Sequence, residues 1–137
     1  MSDSALALLA YCSWTLLLVA TIGGMRAVLT LRGRRANSFD PSGTDVSAFS
    51  GRLCRAHANC YENFPVIGGL LIVALLTDNA AITDGLAFWM VAARLGQSLV
   101  HLASTRARWV VVRFHFFLAQ VVIGGLWAVQ LMMEAVG

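Results

Sequence analysis

The sequence contains no lysine. All ten of its basic residues are arginine, set against seven acidic residues and three histidines for a net charge of +3. Charged residues make up only 12% of the 137, where soluble domains average roughly a quarter. With 58% hydrophobic residues and a mean hydropathy of +0.73, this scarcity argues against an ordinary soluble domain and predicts a membrane protein of one domain. The arginines form no basic stripe on a soluble fold, so nucleic acid is not an expected partner. Cysteine is scarce too. Cys12, Cys54 and Cys60 show neither a C-x-x-C nor a His/Cys metal spacing, so no metal is expected and they read as small packing residues. No Ser/His/Asp or Cys/His arrangement suggests a protein nucleophile. Met1-Ser2-Asp3-Ser4 lacks the positive region of a signal peptide, and the apolar run behind it is long enough to be a spanning helix. There is no repeat and no low-complexity tract.

Four apolar runs remain, at 5–31, 64–76, 86–103 and 109–133. A span needs about 20 helical residues, and the second run falls short of that. It reaches span length only if its helix begins near residue 49, which draws the polar stretch Arg55 to Glu62 to the membrane boundary and places Pro65 inside the helix. The predicted spans are therefore 5–31, 49–77, 85–104 and 109–134. Arg32 to Ser50 reads as a polar turn-rich loop, Thr77 to Gly85 as a short acidic one, and Ser104 to Arg108 as a tight basic turn. The short connections predict an all-α, up-down four-helix bundle. Arginine gathers at loops one and three, so these face the cytoplasm by the positive-inside rule, with both termini on the opposite side.

The most informative stretch is Arg55-Ala56-His57-Ala58-Asn59-Cys60-Tyr61-Glu62-Asn63-Phe64-Pro65. On a helix, Arg55, Asn59 and Glu62 fall at about 0°, 40° and −20° and share a face. A cation, an amide and an anion in a row suit a zwitterionic ligand, and charge at the mouth of a membrane helix tends to be kept for function. In the third run Arg94, Gln97 and His101 fall at about 0°, −60° and −20°, a polar stripe that needs a partner inside the bundle. Glu62 with Arg94 is the expected pair, as a structural lock or as part of a ligand site. Arg113, among Val110 to Phe117, reads as a snorkelling residue or a site residue. Arg108 lies nearer the loop. His57 points about 200° from Arg55, which a packing role or a symmetric oligomer would explain. His115 and Gln120 have no evident partner. The arginines at loops one and three form a funnel that would attract a small anion.

The stretch R-A-H-A-N-C-Y-E-N-F-P resembles the signature of the MAPEG family, membrane-associated proteins of eicosanoid and glutathione metabolism. The family includes microsomal glutathione transferases, prostaglandin E and leukotriene C synthases, and a non-catalytic lipoxygenase-activating protein. The four spans, the arginine-rich first loop and the basic third turn also resemble it. The resemblance implies a homotrimer with glutathione sites between subunits. Arg55, Asn59 and Glu62 would hold glutathione, with Glu62 on its amino group and arginines on its carboxylates, and His57 would reach the neighbouring subunit's site. Arg94 matches the helix-three arginine. Gln97 and His101 stand where relatives often carry histidine or tyrosine. The catalytic arginine of helix four best matches Arg113, with Arg108 as rival, and Arg26 and Arg32 are both candidates for a helix-one arginine at the site.

The expected function is thus a membrane glutathione transferase or peroxidase that activates glutathione as a thiolate. A hydrophobic or lipid-like second substrate would reach it from the membrane lipid. A guanidinium beside the sulfur favours the thiolate. Two other classes are weighed beside it: a non-enzymatic lipid-presenting protein, and a small four-helix proton-coupled exporter with Glu62 as its exchangeable acid.

Overall fold

A computed structural model describes all 137 residues, and it is entirely helical. The helices are α1 (Asp3–Leu31), α2 (Ala48–Leu76), α3 (Ala80–Ala103) and α4 (Ala107–Val136). Each is long and apolar enough to cross a membrane. Even α3, the shortest at 24 residues, extends roughly 36 Å at 1.5 Å per residue.

Local chemistry sets the helix starts. The Ser2 hydroxyl accepts from the Ala5 amide at 3.3 Å, and Asp3 sits in the first turn, where the helix dipole favours a negative charge. Ser47 caps α2 in the same way through the Ser50 amide at 3.0 Å. The second connection is tighter than the sequence suggests: α3 begins at Ala80, not 85, leaving only Thr77 to Asn79 between helices. Asp78 adopts φ 58°, a left-handed conformation that Asp tolerates, and this reverses the chain within three residues. The early start puts Thr83 and Asp84 on a helix facing α1. There the Asp84 Oδ1 accepts from the Ser4 amide at 2.8 Å and the Ser4 hydroxyl at 2.6 Å, and Ser4 and Thr83 hydroxyls lie 2.6 Å apart. These contacts pin the first turn of α1 to the first turn of α3.

The four helices do not form a closed square. α1 packs on α2 and α3, α4 packs on α3 and touches α2 only lightly, and α1 and α4 do not meet. The core therefore lies between α1, α2 and α3, around Tyr11, Leu53, Cys60, Leu71 and Met90, with Trp127 closing it from α4. The α3–α4 approach is close at Gly96, where an added Cβ would stand 2.8 Å from the Phe116 ring. Large apolar side chains such as Leu16, Leu17, Phe88, Trp89, Val129 and Met132 lie exposed on the outside, as a lipid-facing surface requires.

Loop one, residues 32–47, is ordered by polar contacts. Arg34 pairs with Asp45, Arg26 donates to the Asp40 carbonyl at 3.0 Å, and both guanidinium groups stack on Phe39, at 5.6 Å for Arg26 and 4.4 Å for Arg34. Hydrogen bonds from Ser42 hold the Asp40 carboxyl below its ordinary pKa, and the Asp40 backbone amide does the same for Asp45, with help from Arg34. Gly43 turns the loop back onto α2 at φ +70°, where a Cβ would stand 2.7 Å from Cys54 Sγ and 2.9 Å from the Ser50 carbonyl oxygen. Gly43→Ala is therefore strained in conformation and in space, at a cost of about 1–3 kcal/mol. Hydrogen exchange of loop-one amides should quicken in that variant, whereas Gly23→Ala, whose Cβ meets nothing, should leave it unchanged. The depressed carboxyl pKa values contribute order that is fully present above the ordinary carboxylate range and is lost as pH falls through the lowered values. The same amides should then exchange faster relative to the helices on acidification, and a flat profile would show that these carboxylates do not hold the loop.

Candidate functional site

The polar residues of α2 and α3 meet first in a buried knot. Arg94 is 1% exposed. Its Nη1 donates to the backbone carbonyl of Asn59 at 3.2 Å and also to the Asn59 side-chain oxygen. Its guanidinium lies 5.4 Å from the centroid of the Tyr11 ring on α1. Tyr11 donates its hydroxyl to the Cys60 carbonyl at 2.8 Å and packs edge-on against Phe64. Cys60 Sγ lies 3.3 Å from the Ser98 hydroxyl. Two α2 carbonyls just before Pro65 thus receive donors from neighbouring helices, beside the carbonyl of Tyr61 that loses its amide partner to the proline.

A cavity of about 450 Å³ opens at the end of the bundle that carries loops one and three. Arg52 and Arg55 from α2, His101 from α3 and Arg113 from α4 line it, with Ser42 and Thr44 of loop one and Thr105 of loop three at its mouth. No acidic side chain lines it. Arg113 Nη1 lies 3.2 Å from His101 Nδ1. Arginine can only donate, so this contact assigns a neutral imidazole with its proton on Nε2. Arg52 is anchored through Nε to the Leu102 carbonyl at 2.8 Å, which holds its positive charge at the wall. The volume lies within the ~300–1,000 Å³ common for small-molecule pockets.

The other predicted residues distribute themselves around this site. Asn59 and Arg94 are joined in the knot. Gln97 is buried between knot and cavity, and its Nε2 donates to the Arg113 carbonyl at 3.4 Å. His57 is half-buried on the other face of α2 and packs against Tyr61. Arg108 is exposed at the start of α4, where it stacks on Trp109. Arg26 belongs to loop one through Asp40 and Phe39, and Arg32 is exposed just past α1. The expected pair of Glu62 with Arg94 does not form. Glu62 is exposed, and Asn59 takes its place as the partner. A neutral amide one turn earlier reaches the guanidinium, so no carboxylate has to be desolvated in the core.

Gln120 is the residue that sequence reasoning left without a partner. It is 3% exposed and donates through Nε2 to Gln97 Oε1 at 3.0 Å and to the Phe116 carbonyl at 2.8 Å. The signal was there: Gln120 lies seven residues after Arg113, on the same face of α4, about 20° round the helix.

The knot yields a test. Asn59→Ala removes the side-chain acceptor of the buried Arg94 guanidinium, leaving it only the backbone carbonyl of residue 59, and should lower stability by about 1.5–3 kcal/mol, the range for a hydrogen bond to a charged group. Removing the cation as well, in Asn59→Ala/Arg94→Met, should recover part of that loss. Thermal unfolding in detergent measures both, and equal or additive losses would show that the two side chains are not coupled.

No curated protein and no solved structure matches the chain. The MAPEG family model does match, over residues 4–133, a range that covers all but the outermost residues of the four helices and includes the buried knot and the cationic cavity. The four spans and the polar face of α2 are thus features of one recognised unit, and the chain belongs to the MAPEG family.

Proposed function

We propose that this MAPEG protein is a membrane glutathione transferase, which holds glutathione as a thiolate for attack on a hydrophobic electrophile from the bilayer. The observation that carries the reading is the cavity walled by Arg52, Arg55 and Arg113 with no acidic side chain in its lining. Glutathione bears two carboxylates, one ammonium and a thiol. Arg52 and Arg55 would take its carboxylates, and guanidinium groups suit them because they offer a planar fork of donors that stays charged at any physiological pH.

Arg113 would lie beside the sulfur. Free thiol has a pKa near 8.5, and a guanidinium at contact distance favours the anion, a lowering of one to two pKa units being about 1.4–2.8 kcal/mol. Arg113 cannot accept the thiol proton, which leaves to water at the open mouth. His101 fixes Arg113 through Nδ1, and the Gln97 amide holds its carbonyl. In the reaction the sulfur lone pair forms the carbon–sulfur bond as the leaving group departs with the electrons of the bond that breaks, or as they pass to an activated acceptor.

The site also supports a homotrimer. Glu62 is exposed within a helix long enough to span the membrane, and a carboxylate facing lipid is costly. A neighbouring subunit that covers this face of α2 would bring Glu62 to a shared site, where it would meet the ligand's ammonium, while His57, on the other face of α2, would reach the site of a neighbouring subunit. Arg26 or Arg32 would then serve from an adjacent α1. By the arginine distribution, loops one and three face the cytoplasm, where glutathione is plentiful.

Difference ultraviolet spectra test this reading. Glutathione added to the detergent-solubilised protein should produce the thiolate band. Arg113→Ala should lose that band, with the ratio of thiolate to thiol falling roughly ten- to a hundredfold, while calorimetry still detects glutathione. Arg108→Ala should keep it. Turnover unchanged in Arg113→Ala removes that residue from the mechanism. Bound glutathione without a thiolate band would point to the non-enzymatic lipid-presenting members of the family.

A further inference from the structure

The cationic cavity holds one polar hydrogen that the glutathione reading leaves unused. Arg113 donates to His101 Nδ1 at 3.2 Å, so the imidazole carries its proton on Nε2. His101 lines the cavity. Its Nε2 has no hydrogen-bond partner in the protein, and unlike the indole nitrogens of Trp14 and Trp127 it is not sealed from solvent. The other neutral donors stand at the mouth, where the Ser42 and Thr44 hydroxyls bond each other at 2.8 Å and Thr105 belongs to loop three. The Nε2–H of His101 is therefore a free, neutral donor, one ring width from the guanidinium that would hold the sulfur.

We propose that His101 is a catalytic residue whose Nε2–H donates to the carbonyl oxygen of the second substrate, and that this substrate is an α,β-unsaturated carbonyl compound. The inference rests on the glutathione reading and adds to it a residue and a substrate class. As the thiolate attacks the β-carbon, the carbon–sulfur bond forms. The alkene pair shifts by one bond, and the carbonyl pair passes to oxygen as an enolate. No group leaves. Water then returns to the α-carbon the proton that the thiol released, and the product is a neutral thioether ketone. An N–H fixed in place rewards charge that gathers on oxygen only as the bond forms, because it then binds the transition state more tightly than the ground state. A neutral imidazole is able to polarise a carbonyl in this way. The pull of Arg113 on Nδ1 strengthens the donor on the far side of the ring. A departing halide accepts hydrogen bonds poorly and gains little from it. A conjugated carbonyl also sets its attacked carbon and its oxygen a few bonds apart, which suits a sulfur on Arg113 and an oxygen on the adjoining imidazole.

Steady-state kinetics of the full chain in detergent test this, with glutathione and either benzylideneacetone, an enone, or benzyl chloride, a displacement substrate of similar size. In the unaltered protein the rate gain over the uncatalysed reaction should be about ten- to a hundredfold larger for benzylideneacetone, below the effect of a sealed oxyanion hole because this cavity is open to water. His101→Asn sets an amide oxygen near the place of Nδ1, within reach of Arg113, and nothing at Nε2. Its kcat ratio, benzylideneacetone over benzyl chloride, should fall about tenfold or more, with the enone KM little changed because the donor acts on charge that the ground state lacks. His101→Gln, whose amide reaches the place of Nε2, should recover most of the ratio. Any loss of thiolate slows both substrates alike, so the ratio reports the oxygen contact. Equal rate gains for the two substrates in the unaltered protein, or a ratio unchanged in His101→Asn, would overturn the proposal and leave the glutathione reading standing. Absence of both the thiolate band and turnover of either substrate would overturn the two together.

Discussion

A cation sealed inside an apolar bundle constrains everything around it. Arg94 sits in the middle of a helix that otherwise favours hydrocarbon, and lipid offers its guanidinium nothing. The helix must therefore turn that residue toward protein donors of electron density, and it finds the Asn59 amide and carbonyl on α2 and the Tyr11 ring on α1. Fixing this contact fixes the rotation of α3. Gln97 and His101, one and two turns further along, are then presented to α4, and the Arg113 contact follows. The wall of the cationic cavity is in this sense a consequence of where one buried charge found its acceptors, which reach Nη1 and leave Nε and Nη2 unpartnered.

The second constraint is the uneven packing of α4. Because it rests on α3 and leaves α2 largely uncovered, the molecule has two concave regions of opposite character. One is cationic and opens at the end that carries the polar loops. The other is apolar and opens along the flank of the bundle. The polar end sets Arg52, Arg55 and Arg113 around one opening, whereas the flank presents mainly apolar walls. Loop one contributes to the first of these. Its Arg34–Asp45 pair and the Phe39 stack hold Ser42 and Thr44 at the cavity mouth.

Much of this could be read from spacing, and what spacing missed lies in how the helices meet and how the chain turns between them. The α2 face bearing Arg55, Asn59 and Glu62 follows from 3.6 residues per turn, but the three side chains reach different neighbours: Arg55 the cavity, Asn59 the buried arginine, Glu62 the outside. A helical wheel gives the direction of a side chain, and it does not say how far along the axis the partner helix has slid. The Arg94 partner was misassigned for that reason, since a carboxylate and an amide one turn apart compete for the same guanidinium and desolvation favours the amide. Gln120 was left without a partner although it repeats Arg113 at a seven-residue interval, because its partner, Gln97, stands on α3 and spacing within α4 does not reveal it. The early start of α3 was hidden by Asp78, whose left-handed backbone makes a three-residue turn that composition does not announce.

Some properties were settled before folding. Four long apolar runs, a polar stretch at the head of the second and loop arginines found in only two of three loops are one-dimensional facts, and the scarcity of charge leaves the chain little choice but a helical membrane bundle, because only helices satisfy every backbone group within a single segment in lipid. Which arginines line the cavity, which amide meets the buried guanidinium and whether a groove stays open beside α4 were decided only when the helices packed. Those outcomes depend on axial register and on the closeness of approach at points such as Gly96 against Phe116, quantities set by the interlocking of two surfaces and absent from either strand of sequence alone.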